Sequence, residues 1–77
     1  MDETVYSDTV REFDNIVGPQ VVSVDAGTGS VVLAMRHGTD NWIDIETFSA
    51  DTAKVIDFGP RGRVYRFTVT GDATYAL

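Results

Sequence analysis

The sequence predicts an all-β protein: a small antiparallel β-sandwich or barrel of five to six strands with an N-terminal arm. Three observations predict it. Valine, isoleucine and threonine supply 24 of the 77 residues, while leucine occurs only at Leu33 and Leu77. Side chains branched at Cβ lose rotamer freedom in a helix and pack well on a pleated surface. Apolar and polar residues alternate over short runs, and turn residues rich in glycine separate those runs.

Residues 1–20 are read apart from the β-domain of residues 21–77. The run "SDTVREFDNIVG" offers Ser7 or Asp8 as a helix N-cap, with Val10, Phe13 and Val17 at spacings of three and four. Its periodicity is imperfect, which favours an extended arm over a short helix. The apolar anchors of such an arm are Val5, Tyr6, Phe13 and Ile16.

The first strand is expected at residues 21–25, with Gln20 at its margin and Gly18-Pro19 marking its start. "AGTGS" then turns the chain into a second strand at 31–36, so the pair reads as a hairpin. That second strand is apolar at both parities, with Val31, Leu33 and Met35 on one side and Val32 and Ala34 on the other. A strand of this kind is covered on both faces, and in so thin a domain one cover is expected from another chain.

"HGTDN" is a polar turn. The third strand, 42–48, alternates Ile43 and Ile45 with Asp44 and Glu46, and Trp42 and Phe48 share the acidic face. Residues 54–58 make a fourth strand and "GPRG" a tight turn, with Pro60 where a fixed φ is an advantage. Residues 63–70 and 73–77 complete the set. Tyr65, Phe67 and Val69 are expected to point inward with Ile43 and Ile45.

Composition narrows the function. A chain of 77 residues with no cysteine and one histidine has neither disulfides nor a thiolate or multi-histidine metal site to staple a small core. Subunit association is the staple that remains, so a homo-oligomer, such as a trimer, is expected. Twelve acids against six bases give a net charge of −6, and Lys54 is the only lysine. Phosphate backbones repel such a chain, so no nucleic-acid partner is expected. No run approaches the ~20 apolar residues of a membrane span. "MDETVYSD" has acids where a secretory signal carries bases. The reading is a complete short gene product, soluble in the cytoplasm where it is made.

Motifs that would carry chemistry are weak. Asp44 and Glu46, about 7 Å apart at strand rise, read as partners for Arg63 or Arg66 across a strand pair rather than as an acid–base pair. "AGTGS" lacks the lysine and following helix of a phosphate loop. Ser30, His37 and Asp40 lack a nucleophile elbow. No cofactor is implied, and the chain is read as no enzyme. Trp42, Phe48, Tyr65 and Tyr75 offer an aromatic platform for sugar, against the commoner use of such rings in cores and contacts. Arg61 and Arg63 flank a turn from which a planar fork can grip a neighbour's carboxylates.

The segment "NWIDIETFSADTAKVIDFGPRGRVYRFTVTGDATYAL", about half the chain, resembles small β-domain structural proteins of tailed bacteriophages. The likeness lies in its tryptophan-led strand, its threonine-rich link and a last strand broken by Thr-Gly. What the resemblance implies is a virion component: a capsid cement, a head or tail accessory protein, or a fibre module. The expected function is therefore non-enzymatic and structural, with other virion proteins such as the capsid protein as partners. Expected contact residues are Val5, Tyr6 and Phe13 in the arm, Val31, Leu33 and Met35 in the second strand, Trp42 and Phe48, and Arg61 and Arg63. The alternative is a β-type binding module for carbohydrate or peptide, using Trp42, Phe48 and Tyr65.

Overall fold

Residues 4–77 are described in the computed structural model; Asp2 and Glu3 of the acidic N-terminus lie outside them. Eight strands form: β1 (Val5–Tyr6), β2 (Val10–Phe13), β3 (Pro19–Asp25), β4 (Ser30–His37), β5 (Asn41–Phe48), β6 (Thr52–Asp57), β7 (Tyr65–Thr70) and β8 (Thr74–Ala76). They build two four-stranded sheets, sheet A in the order β1-β8-β3-β6 and sheet B in the order β2-β7-β4-β5.

The pairing has a simple origin. β4 and β5 form a hairpin, and outward from it β3 pairs with β6, β2 with β7 and β1 with β8, all antiparallel. The chain is one long hairpin rolled on itself, and the β3–β8 and β4–β7 pairs close the roll. This order is the jelly roll, which leaves few exposed strand edges. The all-β sandwich expected from the sequence is present, with eight strands rather than five to six. The two additional strands come from residues 5–13.

That segment is therefore neither helix nor free arm. β1 and β2 are edge strands of the two sheets, and Tyr6 and Phe13 turn inward. Tyr6 lies edge-on to Phe13 at 5.4 Å and stacks on Tyr75 at 5.2 Å. Phe67 stacks on Tyr75 at 4.3 Å and meets Phe13 edge-on at 5.6 Å. Four rings from four strands thus close a circuit across the two sheets. Edge-on and offset contacts of this kind add about 0.5–1.5 kcal/mol each beyond area burial.

The stretch "AGTGS" is not a hairpin turn. β3 and β4 lie in different sheets, and residues 26–29 arch between them. A hairpin would set the two apolar faces side by side; the arch sets Val22 and Val24 opposite Val31 and Leu33, all buried. Gly27 carries a φ of 55°, and a side chain there would strike the Asp72 carboxylate. Gly29 lies so close to the Thr70 carbonyl that a Cβ does not fit.

The cover on β4 belongs to the same chain, which corrects the expectation of a borrowed one. Sheet A covers Val31 and Leu33. On the other face, Arg66 reaches from β7 across β4 to stack over Trp42 of β5 at 4.3 Å, and Ala34 lies between them at 2% exposure. The accessible surface is 4808 Å², against about 4,600 Å² for a folded monomer of this mass. The radius of gyration is 11.9 Å, against about 11.5 Å from chain length. The core is small but complete.

The face assignment within β5 is also corrected. A bulge places Leu33 opposite Glu46 but Ala34 opposite Asp44, so Ile45 is the additional residue. An additional residue reverses the alternation beyond it. Phe48 consequently enters the core and Trp42 faces outward; Ile45, the bulged residue, is 45% exposed, while Ile43 keeps the inward parity in the row of Met35 and Tyr65 but stays 46% exposed on edge strand β5.

Two predictions follow from the core. Deleting residues 1–17 removes two of the four rings, each worth about 1.5–3 kcal/mol of burial. The total for a domain of this length is on the order of 4–12 kcal/mol. The truncated chain should lose its cooperative thermal transition by circular dichroism; a sharp melt would contradict this. The second compares two buried tyrosines. Tyr65 donates its hydroxyl to the Phe58 carbonyl at 2.6 Å, so Tyr65→Phe should cost about 1–3 kcal/mol in urea unfolding. The Tyr75 hydroxyl has no partner among the described residues, and burial pushes its phenol well above the ordinary tyrosine range. Tyr75→Phe should be neutral, or stabilising by on the order of 1 kcal/mol.

Candidate interaction surfaces

Four of the six sheet-to-sheet links, residues 7–9, 26–29, 49–51 and 71–73, gather at one end of the roll. Polar bonds lace three of them together. Asp51 Oδ1 accepts the Ala26 N–H at 3.0 Å. Asp72 Oδ1 accepts the Thr28 N–H at 2.7 Å and the Thr28 hydroxyl at 3.0 Å. The Ser30 and Thr70 hydroxyls meet at 2.9 Å. The Thr28 N–H, followed by its hydroxyl, holds the Asp72 carboxyl below its ordinary range. Nearby, the Arg11 guanidinium, 2.7 Å from Asp8, lowers the Asp8 carboxyl in the same way. These acids act as staples.

The opposite end carries residues 14–18, 38–40 and 58–64. Gly18 and Gly59 fasten it, with the Gly18 N–H donating to Gly59 O and the Phe58 N–H to Gly18 O, each at 2.9 Å. Arg61 and Arg63 project from this end and are exposed. Among the described residues neither they nor Arg66 form an ion pair; Glu46 meets Lys54 instead, at 2.8 Å, bridging β5 and β6 at the side of the sandwich.

The two outer faces differ sharply. On sheet B, register aligns Glu12, Arg66, Ala34 and Asp44 in one row and Val10, Thr68, Val32 and Thr47 in the next, with Arg36 beside Trp42. Charged and hydroxylated side chains dominate, as on a solvated sheet face. On sheet A, register aligns Val5, Ala76, Ser23 and Ala53, then Val21 and Val55. Among the described residues its charges are Asp25 and Asp57, at the two ends. Val5 and Val55 are 61% exposed and Val21 58%. A shallow depression of about 230 Å³ opens on this face beside Ala76, lined also by Val5, Ser23, Asp25 and Thr74.

The ten residues expected to make contacts do not share a surface. Val31, Leu33 and Phe48 are core residues and cannot touch a neighbour. Tyr6, Phe13 and Met35 pack against that core. Trp42 is half-buried under Arg66 on sheet B, Arg61 and Arg63 sit at the glycine-fastened end, and Val5 is on sheet A. Nor is there an aromatic platform: Phe48, Tyr65 and Tyr75 are buried, leaving Trp42 alone. Sequence reasoning missed Val21, Ala53, Val55 and Ala76. The available signal was Val21 and Val55 at the outward parity of strands whose inward residues are also apolar, but only the β3–β6 register makes them neighbours.

Comparison with known protein families, curated proteins and solved structures finds no match.

The laced end generates a pH prediction. The Asp72 carboxyl is depressed in the folded state, so its contribution is whole above the ordinary carboxylate pKa of about 4 and fades as pH falls through the lower folded value. Asp72→Asn should lower the melting temperature at pH 7 and by less at pH 2.5. An equal deficit at the two pH values would rule out the carboxylate charge as the source.

Proposed function

We propose that the chain is a non-enzymatic structural component of a tailed-phage particle, a capsid cement or head–tail accessory protein that works by contact. The observation that carries this reading is the outer face of sheet A, where Val5, Val21 and Val55 stand open to solvent on a face that, among the described residues, is charged only at its ends. Exposed apolar side chains grouped in this way mark contact sites. The rigid sandwich behind them supplies a preformed surface, which lowers the ordering cost of association. The resemblance of residues 41–77 to phage β-domain proteins supports the same reading. Jelly rolls recur in capsid proteins but also in lectins and cupins, so the architecture adds weight without choosing.

Its partners are then its own copies and a capsid or tail protein, with assembly into the virion after synthesis in the host cytoplasm. The alternative, a binding module for carbohydrate or peptide, has less support from its expected residues, because Phe48 and Tyr65 are buried and only Trp42 is left at the surface.

Mass spectrometry of density-banded particles made by the genome that encodes the chain tests the reading. The chain should be present at stoichiometric copy number and should survive a high-salt wash. Its recovery only in the soluble lysate would overturn the proposal.

A further inference from the structure

We propose that two copies of the chain pair edge to edge through β6, antiparallel about a two-fold axis at Val55, so that sheet A of one continues into sheet A of the other as eight strands. The pairing extends the contact reading above, because it joins two outer faces into one, but it depends on the edge alone.

Of the four edge strands described, three are guarded. β1 and β2 run for two and four residues. β5 is longer but carries the Ile45 bulge between the acids Asp44 and Glu46. Short length, bulges and charge are the devices that keep edges from pairing. β6 is neither short nor bulged: its six residues hold an unbroken register with β3, from Pro19 opposite Asp57 to Val24 opposite Thr52. Its one central charge, Lys54, is drawn to Glu46 of β5 at 2.8 Å.

The free hydrogen-bonding groups of β6 follow from its register. Pro19 has no N–H to give Asp57, and the neighbouring Phe58 N–H donates to Gly18 O at 2.9 Å. Facing pairs in an antiparallel ladder alternate between bonded and open. Gln20–Ile56, Val22–Lys54 and Val24–Thr52 are therefore the bonded pairs. Ala53, Val55 and Asp57 turn their N–H and C=O groups away from β3, toward the open edge.

Those three residues fit a second copy of themselves. With Val55 opposite Val55, Ala53 falls opposite Asp57, and each of the three facing pairs exchanges two hydrogen bonds. No outward group of the strand is left over. Sliding by two residues, the smallest step that keeps side chains on their faces, leaves Ala53 or Asp57 without a strand partner. One such register also sets Lys54 on Lys54; in the centred one Lys54 faces Ile56. Centring on a single residue is what an isologous contact needs, and a foreign strand has no need of it.

Charge selects the same edge. Each copy carries −6, and pairing through β5 would bring Asp44 and Glu46 of both copies together. β6 holds one base and one acid, and in the centred register the two Asp57 residues stand four residues apart along the strands. That is about 14 Å at strand rise, beyond the Debye length of about 8 Å at physiological salt. On the outer face, the axis sets Val21 and Val55 of both copies in one row. Val55, 61% exposed in the single chain, gains a valine on its open side. Main-chain hydrogen bonds supply the affinity in strand addition. The edge is narrow, so the dimer is weak and concentration-dependent.

Sedimentation equilibrium and amide exchange of the full chain, from low micromolar to millimolar concentration, test the pairing. Wild type should pass from monomer to dimer. In step with the dimer fraction, the Ala53, Val55 and Asp57 amides should gain protection, while Lys54 and Ile56, bonded to β3, should be protected throughout. Val55→Pro removes an N–H that β3 does not use, at the kind of edge position where proline is tolerated. It should weaken the dimer at least about tenfold, with an unchanged circular dichroism spectrum. Val55→Thr keeps the N–H and should dimerise like wild type. A wild type monomeric at every concentration overturns the pairing, and so does a dimer whose three edge amides stay unprotected. That exchange pattern needs no variant, so it decides the matter even if Val55→Pro fails to fold. A wild type that never pairs yet is stoichiometric in banded particles sinks the pairing and leaves the structural function standing.

Discussion

The circuit of rings formed by Tyr6, Phe13, Phe67 and Tyr75 is the constraint on which the rest of the structure depends. Phe67 belongs to a central strand of sheet B and Tyr75 to a central strand of sheet A, and their stack at 4.3 Å holds the sheets in contact. Tyr6 and Phe13 close the circuit from the edges, which requires the start of the chain to return beside its end. The pairing of β1 with β8 and of β2 with β7 follows from that requirement. A domain of this size buries only about three-fifths of the surface its unfolded chain exposes, so each large ring is a sizeable part of the total. Phe58 and Tyr65 repeat the arrangement at the other end, edge-on at 4.8 Å and closed by the Tyr65 hydroxyl.

With the inner faces engaged in this way, the two outer faces carry different properties. Sheet B keeps charges, hydroxyls and the Arg66–Trp42 stack, whose guanidinium and ring shelter Ala34. Sheet A presents valine, alanine and serine. The acids that staple the arches, Asp51 and Asp72, sit at the end of the roll and away from the centre of sheet A, so the tethers that shape the fold do not charge the face open to a partner.

Much of the architecture was legible in the sequence, because alternation along a strand directly reflects burial on one face. Residues 21–25, 31–36, 42–48 and 63–70 fall on strands within two residues of their expected bounds. What escaped has physical causes. β1 has two residues and β2 four, too short for alternation to register, and their identity as strands comes from pairing with β8 and β7. An arch and a hairpin use the same glycine-rich signal at residues 26–30. Whether the flanking strands pair or face one another depends on where Phe67 and Tyr75 lie. The Ile45 bulge inverts the pattern of β5 without any local mark. The candidate surface was legible only at Val5, since the Val21–Val55 pair exists through sheet order.

Native-state hydrogen exchange at the Val69 amide, measured where the chain is monomeric, tests the central claim most directly. Val69 lies in β7, and its N–H donates to Thr9 O at 2.7 Å, so its protection reports whether the N-terminal segment is docked. If that segment completes the core, Val69 should exchange with the free energy of global unfolding, matching the central β4–β7 amides. Exchange faster by orders of magnitude, with those central amides still protected, would show a detachable arm and contradict the account.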